Sequence, residues 1–157
     1  MKRITQLFLI SFIAVIMAGC VTGFEVAPYA STNVSGVTHS SLSSDLLFAR
    51  GSAVLKKGSG KALDALAVDL KKSDNKFTVQ GHTDSTGTEA GNMKLSQKRA
   101  DVVKAALVKR GIKVERIRSK GYAATRPVVK DAKTAADHQK NRRVVIVFMD
   151  DISAPNL

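Results

Sequence analysis

Cysteine occurs once in the 157 residues, at Cys20, proline three times and tryptophan not at all. With its only thiol in the leader region, the chain cannot build the disulfide framework of a small secreted scaffold. Few aromatics, with 5% Phe, Trp and Tyr combined, leave no interleaved platform for stacking the bases of a single strand. The histidines, His39, His82 and His138, are scattered and supply no metal-ligand spacing, so neither a metal nor a cofactor is expected. No internal repeat is present. Acidic residues are also scarce, 13 against 25 basic ones, and the formal charge of +12 favours acidic or polyanionic surroundings. Charge does not name the partner: nucleic acid, anionic lipid head groups and an acidic cell-wall polymer all fit it. Hydrophobic residues make up 44%, normal for a globular domain, and this excludes bulk disorder.

The first twenty residues address the chain. Lys2 and Arg3 precede an apolar run from about Leu7 to Met17, followed by Ala18, Gly19 and Cys20. The run falls short of the roughly 20 residues a membrane span needs, and the layout is that of a secretory signal. Ala18-Gly19-Cys20 resembles the lipobox of bacterial lipoproteins, with Met17 where leucine is usual. That resemblance implies a signal peptide over 1–19, lipidation of Cys20 as the mature N-terminus and, with Val21 rather than aspartate after it, sorting to the outer membrane. Residues 20–44, rich in Ser, Thr, Gly, Val and Ala, read as the lipidated cysteine and a flexible tether, in which His39 is solvated.

A folded domain is expected over 45–150, with a frayed tail at 151–157. Leu46-Leu47-Phe48 reads as a short strand broken by Arg50-Gly51-Ser52. Ser59 is placed to cap a helix over about 60–72, whose Leu63, Leu66, Ala67 and Leu70 recur at core spacing. Lys76 to His82 is a strand, Glu89 or Asn92 to Arg110 a long helix ended by Gly111, and Val114 to Gly121 a third strand. A loop around Pro127 and a short helix over 133–140 lead to Val144–Met149, a continuous apolar run of the kind found in central strands. The order predicts an α+β sandwich, with two main helices packed on one four-stranded mixed sheet.

The chain is organised around Gly81-His82-Thr83-Asp84-Ser85-Thr86-Gly87 and the helical positions that follow. With Leu95 at zero and 100° per residue, Val102, Val103, Ala106 and Leu107 fall within an arc of about 140°, a core-facing stripe, and Arg99 falls in its middle. A guanidinium there must find an anion or reach past the core edge. Two arrangements fit the spacing. Asp84 and Arg99 either pair directly as a structural salt bridge, or stand apart and receive a zwitterion, Asp84 taking an ammonium and Arg99 a carboxylate. Periodicity does not choose between them.

Residues 45–149 resemble the OmpA-like periplasmic domain shared by peptidoglycan-associated lipoproteins, the tail of outer membrane protein A and flagellar stator proteins. The matching pieces are Leu47-Phe48 with Gly51-Ser52-Ala53, Gly81-His82-Thr83-Asp84 with Gly87, Asn92 with Leu95-Ser96 and Arg99-Ala100, Gly121 with Pro127, and Asn141-Arg142-Arg143 before the last strand. The resemblance implies non-covalent binding of peptidoglycan through meso-diaminopimelate of the stem peptide. Asp84 and Arg99 would be the anchors on its ammonium and carboxylate, Thr83, Asn92 and Leu95 would frame the pocket, and Arg142 and Arg143, with Asn141 and His82, would support it. The sequence departs from the family pattern at Gly91, at Arg50 and at Asp137-His138.

Other functions fare less well. His82, Asp84 and Ser85, two and three residues apart on an extended strand and turn, do not automatically converge as a hydrolytic set, and no second motif supplies an oxyanion hole, so no enzyme is expected. His82 reads instead as fixing the turn by hydrogen bonds. A nucleic-acid partner conflicts with the secretory address. The expected partners are peptidoglycan, the outer-membrane bilayer through Cys20 and envelope proteins, and the alternative role is anchorage of a larger secretion or motility complex.

Overall fold

The computed structural model describes residues 30–34 and 37–149. In chain order its elements are β1 (Ala30–Val34), β2 (Val37–Ser43), α1 (Ser44–Leu47), α2 (Gly60–Leu70), β3 (Phe77–Gly81), α3 (Glu89–Val108), β4 (Ile117–Gly121), α4 (Ala135–Asn141) and β5 (Arg143–Phe148). One sheet runs β1-β2-β5-β3-β4. Among the described strands only β3 and β4 pair in parallel, and α3 supplies the crossover between them. The apolar run of β5 takes the middle of the sheet, as its composition predicts.

Alternation sorts the side chains. Leu42, Phe77, Val79, Val144 and Ile146 face α2 and α3 and are inaccessible to solvent. From α2, Leu63, Leu66, Ala67 and Leu70 are buried against them, and from α3, Ala100, Val103 and Leu107. The two main helices on one face of a mixed sheet make the α+β sandwich that the sequence implied. Among the described residues no helix is long and apolar enough to cross a membrane.

Several local expectations are corrected. Leu46-Leu47-Phe48 is not a strand: Ser44–Leu47 is one helical turn, with the Ser43 hydroxyl accepting from the Asp45 amide at 3.3 Å. Phe48 makes an isolated bridge to Leu55. Leu47 and Phe48 are both buried, and a run this short fits a buried turn as well as a strand. Residues 30–34 and 37–43 are not tether but a hairpin, in which β2 pairs antiparallel with β5 and so becomes the fourth strand of the sheet; β1 adds a fifth at the edge. Pairing with a central apolar strand imposes extended structure on a Ser-rich segment whose own pattern is weak. The domain therefore takes in residues upstream of Asp45. Ser59 does not cap α2 with its side chain; it lies in a 3-10 turn and its hydroxyl donates to the Lys56 carbonyl at 2.7 Å. Val114–Arg116 is likewise a 3-10 turn, with strand beginning at Ile117. Gly111 follows α3 at φ +88°, as a helix-terminating glycine should. The leader, Cys20, residues 21–29 and the tail beyond 149 lie outside the described residues.

One close approach positions everything below. Gly81 and Gly121 are register partners on β3 and β4, and α3 crosses over both. A Cβ on Gly81 would stand 2.1 Å from the Ser96 carbonyl oxygen, and one on Gly121 2.5 Å from the Gln97 amide nitrogen. Two missing side chains thus let α3 lie against the strand ends. The Ser96 hydroxyl accepts from the Ala123 amide at 3.0 Å, holding that residue at φ +47°.

Candidate binding site

Past Gly81, β3 runs into His82, Thr83 and Asp84, all three buried. The Thr83 amide donates to the Ala123 carbonyl, tying this exit to the loop after β4. From the first turns of α3, Asn92 spans the loop, its amide group donating to the carbonyls of Asp84 at 3.3 Å and Thr86 at 2.9 Å. The Asp84 carboxylate is held at both oxygens. Oδ1 accepts from the Thr86 amide at 3.1 Å and from the Thr86 hydroxyl, and Oδ2 from Arg142 Nη1 at 2.8 Å. Arg142, at the C-terminus of α4, gives its other edge to Asp45 of α1, with Nε at 3.2 Å and Nη2 at 2.8 Å. One guanidinium therefore bridges two carboxylates that are distant in sequence. Burial pushes the Asp84 carboxyl up, but the Thr86 and Arg142 donors outweigh it and hold it below the usual carboxylate value. Hydrogen bonding from Arg142 likewise lowers Asp45, and the two carboxylates raise Arg142.

Arg99 is 1% exposed. Its Nε donates to the Ser52 carbonyl at 2.9 Å and Nη2 to the Ala49 carbonyl at 3.5 Å, and its guanidinium carbon lies 5.3 Å from the Phe48 ring centre. Among the described residues no carboxylate forms an ion pair with it. Burial lowers its pKa, and the charge of Asp45 opposes that only in part. A buried cation neutralised by no anion favours an arriving one.

Asp84 and Arg99 line the same cavity, of about 170 Å³, with Thr83, Asn92, Leu95 and Arg142. Arg50, Gly51 and Thr86 complete its lining from two loops. The volume lies below the roughly 300 Å³ at which sites begin to enclose a whole drug-sized ligand. It suits a charged end group of something larger.

Residues 47–142 match the family model described as the OmpA family. The chain belongs to the OmpA family. It is 38% identical over 105 residues to the probable lipoprotein YiaD of Escherichia coli, a match covering 66% of this chain and 48% of that protein. It is 42% identical over 76 residues to the peptidoglycan-associated lipoprotein of Buchnera aphidicola, covering 48% of this chain and 43% of the relative. The chain thus spans about half the length of these curated relatives. Among solved structures, the cell wall anchor of the T6SS from Pseudomonas aeruginosa superposes with a TM-score of 0.69 at 30% identity, covering 77% of this chain and 87% of that one. The OmpA family is one of structural binding domains rather than enzymes.

Within this OmpA-family domain, the five residues expected at the site, Thr83, Asp84, Asn92, Leu95 and Arg99, all line one cavity. The direct Asp84–Arg99 salt bridge is not formed; Asp84 pairs with Arg142. Arg142 is thus part of the cavity wall, whereas Arg143 turns away and donates to the Arg126 carbonyl at 2.9 Å. Asn141 is buried and holds the 128–129 loop, accepting from the Val128 and Val129 amides and donating to the Val129 carbonyl. His82 differs from expectation: among the described residues neither ring nitrogen has a hydrogen-bond partner, and the ring stacks on Tyr122 with centroids 5.5 Å apart. It fixes the turn by packing. Burial, with Arg143 and Arg126 nearby, pushes it down to about 3. Asp137, a departure from the family pattern, forms a capping box with Thr134 that starts α4. Sequence reasoning missed Asp45. Its neighbours are apolar or serine, its partner is 97 residues away, and no local pattern carries such a pairing.

Proposed function

We propose that this chain is an outer-membrane lipoprotein whose OmpA-family domain binds peptidoglycan non-covalently and so ties the outer membrane to the wall. Asp84 accepts the ammonium and Arg99 the carboxylate of a free meso-diaminopimelate centre, with Thr83, Asn92 and Leu95 framing it. The observation that carries this reading is the buried Arg99, left among the described residues without a carboxylate of its own, in a cavity whose other charged groups are Asp84 and cations. A zwitterion satisfies both ends: its carboxylate completes Arg99, and its ammonium is drawn to a carboxylate that stays ionised. The name of the Buchnera relative supports the wall as partner, and lipidation at Cys20 rests on the sequence pattern. The likeness to a T6SS cell wall anchor favours a second reading, in which the same wall contact anchors a larger envelope complex.

The test is co-sedimentation with purified sacculi at low and moderate salt. Asp84→Ala and Arg99→Ala should each weaken binding by about 2–5 kcal/mol, the cost of removing one partner of a desolvated charged contact. Normal sedimentation of both variants would sink the pocket assignment. Binding that survives both mutations and vanishes with salt would assign retention to the basic charge alone.

A further inference from the structure

Arg142 lines both this cavity and a second, wider concavity of about 450 Å³. Ser41, Ser43, Gln139, Lys140, Arg142 and Arg143 line it. The strand register explains its position. Ser41 and Ser43 pair with Val145 and Arg143, on the opposite face from core-facing Leu42 and Val144, so the groove lies on the sheet face that α2 and α3 leave open, beside α4. Among the described residues, three that line it are cations and none is acidic. Of these only Arg142 is already engaged by carboxylates. Arg143 donates to two backbone carbonyls, and among the described residues no ion pair involves Arg143 or Lys140. The serine hydroxyls and the Gln139 amide offer groups that hydrogen-bond peptide units, and Val128 and Ala136 add an apolar margin.

We propose that this groove is a second subsite, taking the peptide segment adjoining the residue held by Asp84 and Arg99, a segment that carries a free carboxylate and a methyl side chain. The inference rests on the peptidoglycan reading of the first cavity. It follows from the shared wall: a ligand whose charged end fills a cavity of about 170 Å³ must continue outward, and across Arg142 it meets a cationic groove lined, among the described residues, by no carboxylate. The free amino acid reaches only the first cavity; the longer peptide reaches both.

Calorimetric titration of the full chain in detergent with free meso-diaminopimelate, and with a soluble stem tetrapeptide containing it, separates the two sites. The tetrapeptide should bind more tightly than the free amino acid by about five- to tenfold, the scale of one partly exposed charge contact plus hydrogen bonds. Lys140 is exposed and makes no side-chain hydrogen bond among the described residues, so Lys140→Glu breaks no hydrogen bond of the fold. That variant should lose the gain while binding the free amino acid within about twofold of wild type, and Lys140→Arg should retain it. A tetrapeptide that binds no better than the free amino acid, or an advantage that survives Lys140→Glu, overturns the groove. Unchanged affinity of Asp84→Ala for both ligands overturns the first cavity's reading, and the groove with it.

Discussion

His82 is two residues before Asp84, buried, stacked on Tyr122 and, among the described residues, without a hydrogen-bond partner at either nitrogen. The folded domain keeps this ring neutral down to about pH 3, whereas an unfolded chain protonates it near 6.5. Between those values the unfolded state binds more protons, so stability falls as pH falls from about 6.5 toward 3. Asp45 and Asp84 act in the same direction further down: their folded values lie below the ordinary carboxylate value, and their contribution is lost as pH drops through them. Urea unfolding of wild type should therefore show stability declining by up to about 1.4 kcal/mol per pH unit between pH 6 and 4. His82→Phe, which keeps an aromatic ring against Tyr122 and cannot titrate, should flatten that slope; an unchanged slope would assign acid sensitivity elsewhere. At this scale Asp84 and Arg99 were legible because each breaks a local rule, an acid in a glycine-rich strand exit and a cation inside an apolar stripe. Asp45 breaks none.

The contact between α3 and the ends of β3 and β4 is the element on which the cavity depends. Gly81 and Gly121 leave no room for a side chain there, and Asn92, Leu95 and Arg99 all ride on the helix that they admit. In Gly81→Ala the new methyl meets backbone rather than a movable side chain, so α3 or β3 must shift. The expected loss is about 1–3 kcal/mol, the usual cost of overpacking, accompanied by weaker sedimentation with sacculi because Arg99 moves with the helix. Wild-type stability and binding in this variant would contradict the role given to the close approach. The main helices and β5 were legible because an amphipathic stripe or an apolar run declares them. The hairpin of β1 and β2 was not, because a Ser-rich strand owes its extended form to the neighbour it pairs with. Nor was α1, whose buried Leu47 serves a turn as well as a strand.

For the whole molecule, the formal charge of +12 sets a salt-sensitive background attraction to any acidic surface, over which pocket binding must be distinguished. The lipid anchor proposed at Cys20 has a separate signature. Cys20→Ser should move the protein from the membrane to the soluble fraction with an unchanged melting temperature, since Cys20 precedes β1 in the sequence. Retention in the membrane fraction would contradict the anchor. The amino-acid sequence by itself determined the helical stripes, the central strand and the two opposite charges at the site, because periodicity and charge placement are properties of neighbours along the chain. Only the tertiary structure decided that Arg142 rather than Arg99 pairs with Asp84, that Asp45 holds Arg142 from the other side, and that residues 30–34 and 37–43 join the sheet. Each of these is a contact between groups far apart in the chain, fixed by how β2, α1, α4 and β5 pack, and no window of sequence holds both partners.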